Sequence, residues 1–322
     1  QYVWNDYNND SIQQINEFTT EGFPEMRNFT RVNILSNAFI PTLNTSFNQS
    51  LRWQGRPRGS DGKLKFINRF STQSGFRFDR KIRENARVGF WNPFYTDIPD
   101  SSLVTYIRNF RHTFFFNRGD SKYEIQASTN NNNTKNILTT GYEKRRNDAF
   151  NLTSRVNIGM PVTLYLYLTR QYKFSESEAD TFKINNYSIQ SDELKPEISW
   201  LIGSKFRLSS SYRLLLQKNR LRPLFETSTN NDLSFKVDFN QSSKSNFKLS
   251  TTMAIIKFNG VRNSAVEFAM LEGLKNGKNY LWSISYDHNL KNNVQLNFGY
   301  DGRKSEGINA VHTGRASVRA YF

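Results

Sequence analysis

The sequence predicts an all-β chain: a transmembrane, antiparallel, up-and-down β-barrel of about 14 strands, within a range of about 12–16. Three observations carry that expectation. Apolar residues recur with period 2 along many segments. Those segments hold their alternation for about 10–13 residues, whereas strands of soluble proteins cluster near 5–6 and membrane strands need about 9–11. Low mean hydropathy (−0.68) coexists with 27 Phe, 15 Tyr and 5 Trp. Disordered chains are poor in rings, so that combination argues against disorder. A barrel in lipid explains both, because only alternate residues meet hydrocarbon while the lumen side stays polar. No apolar run approaches the roughly 20 residues of a membrane helix.

The strands follow in chain order. Over residues 42–53 one face reads Leu43, Thr45, Phe47, Gln49, Leu51, Trp53, and the other is wholly polar. Residues 104–116 repeat the scheme with Val104, Tyr106, Arg108, Phe110, His112, Phe114 and Phe116. Residues 205–214 set Phe206, Leu208, Ser210, Tyr212 and Leu214 against Lys205, Arg207, Ser209, Ser211 and Arg213. Residues 233–239, 247–255, 280–286 and 294–300 continue the pattern. Trp53, Tyr280, Trp282, Tyr286 and Tyr300 suit the aromatic girdles at the two membrane interfaces. Short turns are expected at 117–120, 158–161, 275–278 and 289–293, and longer polar connections at 79–101, 175–180, 217–231 and 301–310. Asn130 to Asn133 reads as a loop tip, and Lys144-Arg145-Arg146 as part of a turn.

The last strand alternates Ala316, Val318, Ala320 and Phe322 against Arg315, Ser317, Arg319 and Tyr321. A terminal strand finishing on Phe resembles the recognition signal of bacterial outer-membrane barrels. That resemblance implies a periplasmic C-terminus and insertion by the barrel assembly machinery through the strand ending at Phe322. The glycine of the usual signal is replaced by Ser317, and the nearest glycine is Gly314.

The first residues break the barrel pattern, so residues 1–28 are expected to form a periplasmic linker and 29–322 the barrel. Asp6, Asn8 and Asp10, followed by Ile12, Gln14 and Glu17, match a twelve-residue calcium loop in spacing. Ca²⁺ takes about 6–8 oxygens. Asp6, Asn8 and Asp10 would each give one, the Ile12 carbonyl another, Gln14 one directly or through water, and Glu17 two. The alternative is an Asn/Asp-rich surface turn. Ser11 stands where glycine normally permits the sharp bend, and the apolar residue falls one place early, at Ile12.

Other chemistry is poorly nominated. The absence of cysteine excludes disulfides, thiolate metal sites and a cysteine nucleophile. His112, His288 and His312 lie far apart, with no zinc spacing, and no phosphate loop or nucleophile elbow occurs. Glu176, Glu178, Asp97 and Asp100 read as loop solvation. An enzyme is therefore not expected. The formal charge of +16 raises nucleic acid as a partner, but the cations are spread over alternating faces and loops rather than gathered on a helix or patch. Lumen cations that attract anions, or rim cations meeting phosphates of outer-membrane lipids and lipopolysaccharide, fit better.

Two stretches together carry a resemblance. One runs Tyr2-Val3-Trp4-Asn5-Asp6-Tyr7-Asn8-Asn9-Asp10, then Ile12-Gln13-Gln14-Ile15-Asn16-Glu17-Phe18. The other comprises residues 266–274, Gly277-Lys278-Asn279-Tyr280-Leu281-Trp282, Gly302-Arg303-Lys304-Ser305 and His312-Thr313-Gly314-Arg315. They resemble the C-terminal region of large outer-membrane proteins of Bacteroidota, whose activity is not settled. The resemblance implies an outer-membrane location and a longer protein with a preceding periplasmic part. Two functions are expected from this: a structural or accessory subunit anchoring other outer-membrane or periplasmic subunits, or an anion-preferring, porin-like diffusion channel.

Overall fold

A computed structural model describes residues 1–8, 10–19, 23–32, 41–55, 66–84, 92, 99, 101–138, 141–159, 161–221, 225–241, 244–290 and 294–320. The N-terminal residues form a small two-stranded sheet, β1 (Val3–Trp4) with β2 (Phe18–Thr19), and Tyr2 bridges to Phe29. Thirteen strands then make one antiparallel meander, each paired with its sequence neighbour. They are β3 (Thr42–Gln54), β4 (Phe70–Arg83), β5 (Leu103–Phe116), β6 (Tyr123–Leu138), β7 (Gly141–Asn157), β8 (Val162–Ser177) and β9 (Tyr187–Ile202), followed by β10 (Phe206–Asn219), β11 (Thr227–Gln241), β12 (Ser245–Asn259), β13 (Gly277–Leu290), β14 (Val294–Ser305) and β15 (Val311–Ala320). The predicted up-and-down β-barrel wall is thus present, with strands of 10–17 residues. No helix of the described residues is long and apolar enough to cross a membrane.

The alternation read from the sequence sorts into two faces when it is followed through the register. One face carries Leu51, Phe76, Phe114, Ile125, Leu152, Leu166, Leu194, Leu214, Leu233, Met253, Ile284 and Phe298 across successive strands. Many of these stay exposed, which fits a face meeting hydrocarbon rather than a protein core. The opposite face is polar and holds the buried Ser191, Ser199, Ser211, Gln217, Asn230 and Asp232.

The wall is curled. Arg145 on β7 lies within electrostatic reach of Tyr2, and Arg303 on β14 pairs with Glu25 of the same small N-terminal unit. On a flat sheet those strands would stand about 34 Å apart, at about 4.8 Å per strand. The polar face is therefore the concave, lumen side.

We call the end where β3 starts the upper end and the end where β15 finishes the lower end. Connections 84–102, 178–186, 220–226, 260–276 and 306–310 lie at the upper end together with the short 139–140, whereas the short 117–122, 158–161, 203–205, 242–244 and 291–293 and the longer 55–69 link strands at the lower. Several sequence expectations need correction here. Asn130 to Asn133 lies in the middle of β6, where Asn131 donates to Asp148 on β7 at 2.9 Å. Pairing on both sides overrides the turn preference of asparagine. Lys144, Arg145 and Arg146 belong to β7, with their charges split between the two faces. Residues 275–278 are not a short turn; they close the long 260–276 connection. Asp97, Asp100, Tyr321 and Phe322 lie outside the described residues.

Glycine is required at one point of the outward face. Gly302 stands opposite Trp282, whose indole lies over it, so that a methyl there would collide with the ring. Gly302→Ala is expected to displace Trp282 and to cost about 1–3 kcal/mol. Urea unfolding in detergent checks this, and pairing the change with Trp282→Ala should recover part of the loss.

Candidate functional site

Three structures converge at the upper end. The first is an inward-folded helix, α1 (Ala265–Leu271), within the connection from β12 to β13. Ser264 caps it, accepting the Glu267 N–H at 3.1 Å, while Glu267 Oε2 accepts the Asn263 N–H at 2.6 Å. This reciprocal pair satisfies backbone donors that a helix start leaves open. The apolar side of α1 (Val266, Ala269, Met270, Leu271) packs against Ile189 of β9 and Ile256 of β12. A cluster of this kind on an otherwise polar lumen wall is what holds the helix inside.

Below the helix sits a charge cluster. Arg213 of β10 donates from Nε to Asp232 Oδ2 at 2.6 Å, and its two other nitrogens lie 3.6 Å from Glu193 and from Glu272. Glu272 is the C-cap of α1 and holds a left-handed φ of 55°, which places a carboxylate where glycine usually ends a helix. The helix is thus tied to the wall by both apolar contact and charge.

The second structure is the N-terminal unit. Phe23 lies under the Arg303 guanidinium at 4.1 Å, and Glu25 forms an ion pair with the same group. Asn185 Nδ2, in the 3-10 turn Asp180–Asn185, donates to the Asn16 carbonyl at 2.6 Å. This unit therefore packs at the upper end, while β15 finishes at the lower end. The expected linker, residues 1–28, and the C-terminal strand thus lie at opposite ends of the wall.

Within that unit the predicted calcium residues are largely brought together. Oxygens of Asp6, Asp10 and Glu17 lie within 4.8 Å of one another. The Ser11 N–H donates to Asp6 Oδ2 at 2.8 Å, and Ser11 adopts the left-handed φ of 60° that the glycine of such a loop would supply. The Ile12 N–H on Asp10 Oδ1, at 2.7 Å, holds the Asp10 carboxyl below its usual range. Asn8 Nδ2 and Gln14 Nε2 both donate to Asp10 Oδ2, at 2.8 and 2.6 Å. Glu17 is buried, and its Oε2 accepts Trp4 Nε1 at 2.8 Å and the Gln14 N–H at 3.1 Å. An all-oxygen donor set with three carboxylates fits a hard divalent cation such as Ca²⁺. To bind one, the Asn8 and Gln14 amides would turn their oxygens inward.

The third structure is the outward face of the upper half. Every Lys, Arg, Asp and Glu that the register places on the outward face lies in that half. The exposed cations Arg170, Lys218, Lys257, Lys278 and Lys304 are among them. The carboxylates there are few: Asp148 pairs with Arg146, Asp192 accepts from Arg170 at 2.6 Å, and Glu176 accepts from Tyr142 at 3.1 Å. Below this collar the face is apolar down to aromatics such as Phe70, Phe114, Phe116 and Tyr123, whose neighbouring ring centroids lie 5.0–6.1 Å apart.

Sequence reasoning missed Arg213, Glu272 and Arg303. One local signal pointed to the helix, namely Ser264 followed three residues later by Glu267 ahead of an apolar run.

An apolar outward band, a polar lumen and a mouth occupied by α1 and the N-terminal unit define a transmembrane β-barrel with a capped upper end. No protein family matches the sequence, and no curated protein does. Among solved structures the chain is similar to CdiB from Acinetobacter baumannii, with 12% identity, a TM-score of 0.44, and coverage of 87% of this chain and 54% of that one. It thus spans about half the length of CdiB. It is also similar to the beta domain of the Bordetella autotransporter BrkA, with 9% identity, a TM-score of 0.24, and coverage of 88% of this chain and 99% of that domain.

Proposed function

We propose that this chain is an outer-membrane β-barrel serving as a structural subunit that anchors partner proteins, with its upper end at the cell surface and its C-terminus in the periplasm. The observation that carries this reading is the capped lumen: α1 and the N-terminal unit occupy the mouth that an open pore would leave free. Orientation rests on the cationic collar, which matches a leaflet rich in lipopolysaccharide phosphates, and on the lower connections, five of the six of which are short, as periplasmic turns are. The resemblance to large Bacteroidota outer-membrane proteins supports the same location. Insertion by the barrel assembly machinery through the last strand follows from that location.

Gentle detergent extraction from native outer membranes tests the anchoring reading. A stoichiometric set of co-purifying subunits is the expected result, and migration of this chain alone would sink it. The alternative is an anion-preferring diffusion channel, favoured by the exposed lumen cations Arg207, Lys236, Lys248, Arg315 and Arg319 in the lower half. Anion-selective conductance of the unmodified chain in a planar bilayer would establish that reading instead.

Calcium in the Asp6–Glu17 loop is part of the proposal. Calcium is expected to change Trp4 fluorescence, because the indole donates to the ligand Glu17, and chelator should reverse the change. Trp4→Phe should abolish that signal. Ser11→Gly is expected to relieve about 1 kcal/mol of left-handed strain and to tighten calcium up to about fivefold. Calorimetric titration measures this, and an unchanged affinity would show that the bend does not limit binding.

A further inference from the structure

The outward lysines near the upper end of β10 to β14 differ from the other cations of the collar. On β7 to β9 the outward face also carries Asp148, Glu176 and Asp192, whereas no outward position of β10 to β14 is Asp or Glu. Lys218 on β10 sits over the Phe225 ring at 5.4 Å. Lys257, Lys278 and Lys304 are exposed and lie on the successive strands β12, β13 and β14. Lys278 stands opposite Ile255 and Lys304 opposite Tyr280, so each lysine is the diagonal neighbour of the next. Diagonal neighbours stand roughly 7–8 Å apart, a gap that two lysine stems can close. Among the described residues none of these three ammonium groups forms an ion pair. Glu306, just past β14, places its carboxylate on the Lys278 backbone N–H at 3.0 Å.

These lysines also share one depth. The paired row that starts at Trp53, near the lower end of β3, passes through Phe114, Leu168 and Asn231 and arrives at Lys278, near the upper end of β13. Rows therefore climb along the chain, and residues at one depth step down them, as Lys257, Lys278 and Lys304 do. Toward the lower end the same face continues with Ile255, Met253, Leu233 and Tyr280, the last 43% exposed. Cations at the top edge of an apolar band lie in the plane of lipid phosphates. We propose that Lys257, Lys278 and Lys304 hold the phosphates of one lipopolysaccharide molecule of the outer leaflet, with its acyl chains on the apolar strip below. Lys257 and Lys278 form one phosphate seat. Lys278 and Lys304 form the other, where the Tyr280 hydroxyl adds a donor. Free phosphate lacks the chains that would cover the strip, and a phospholipid with a single phosphate fills one seat of two. This deepens the proposed orientation and rests on it; the anchoring of partners is a separate matter.

Titration of the purified chain in detergent with purified lipopolysaccharide, read by native mass spectrometry, tests the proposal. Lys257→Gln and Lys304→Gln are each expected to weaken binding about fivefold, and Lys278→Gln, which serves both seats, by more. The triple glutamine variant should bind about 100-fold more weakly. Changing all three to arginine should preserve binding, because a guanidinium also pairs with phosphate. Lys248→Gln, on the lumen side of β12, should leave binding unchanged. Unweakened binding by the triple glutamine variant would overturn the proposal. Equal binding of dephosphorylated lipopolysaccharide, or of phosphatidylglycerol, would overturn it too. Orientation is read separately. The chain has no cysteine, so Asn309→Cys, in the upper connection 306–310, gives one attachment point for a membrane-impermeant maleimide. Labelling of intact cells together with unweakened binding by the triple glutamine variant would remove the lysine site and leave the orientation standing. Labelling only after the outer membrane is permeabilised would remove the orientation and the site with it.

Discussion

Arg213→Ala is expected to destabilise the barrel by about 3 kcal/mol, near the low end of the range for breaking a buried ion cluster. Asp232, only 6% exposed, loses its charged donor, while Glu193 and Glu272 lose the cation that lies between them. Lumen water softens the penalty, which is why the low end applies. The loss should concentrate on α1, because Glu272 is its C-cap and reaches Arg213 across the lumen. Hydrogen exchange is therefore expected to rise first at the α1 amides, with β4 to β6 little affected. Arg213→Lys should recover only part of the stability, since an ammonium cannot present nitrogens to three carboxylates in one plane. Uniform loss of protection around the whole wall would contradict the local assignment.

A larger effect is expected from Met270→Asp. Met270 is fully buried between α1 and the wall, against Ile189 and Ile256. A carboxylate in that cluster has no cation within it, and an uncompensated buried charge costs more than about 4 kcal/mol. A single seven-residue helix cannot hold its place against that cost. The helix should leave the lumen while the thirteen-strand wall remains. In a planar bilayer the unmodified chain is expected to be silent and the variant to pass anions. Met270→Ala, at about 2–5 kcal/mol, should give intermittent openings. Silence of both variants would show that α1 is not what closes the mouth.

Most of the wall was legible because lipid imposes a period-2 code on single strands. The segments 42–53 and 104–116 match β3 and β5 to within a residue, since their outward faces are apolar over nearly the full length. Legibility failed where strands rise above the hydrocarbon. In β11 the residues Thr227 to Asn231 are polar on both faces, so the sequence shows a strand starting at Leu233. In β6 the run of asparagines hides a strand for the same reason. The metal-type loop was legible because all its groups lie within twelve consecutive residues. The Arg213 cluster was not, because its members come from β9, β10, β11 and the end of α1, and only the curl of the wall brings them together.

The sequential meander also dictates an order of events. Every strand pairs with its neighbour in the chain, so the wall can zip up hairpin by hairpin without closing long loops, and each step is entropically cheap. The bond between Glu25 and Arg303 is the opposite kind of contact, joining residues far apart in the sequence. It can form only after β14 is in place, and so it ties the shutting of the mouth to a late step in building the wall. Until then the lumen of a half-built barrel is still open to water from above.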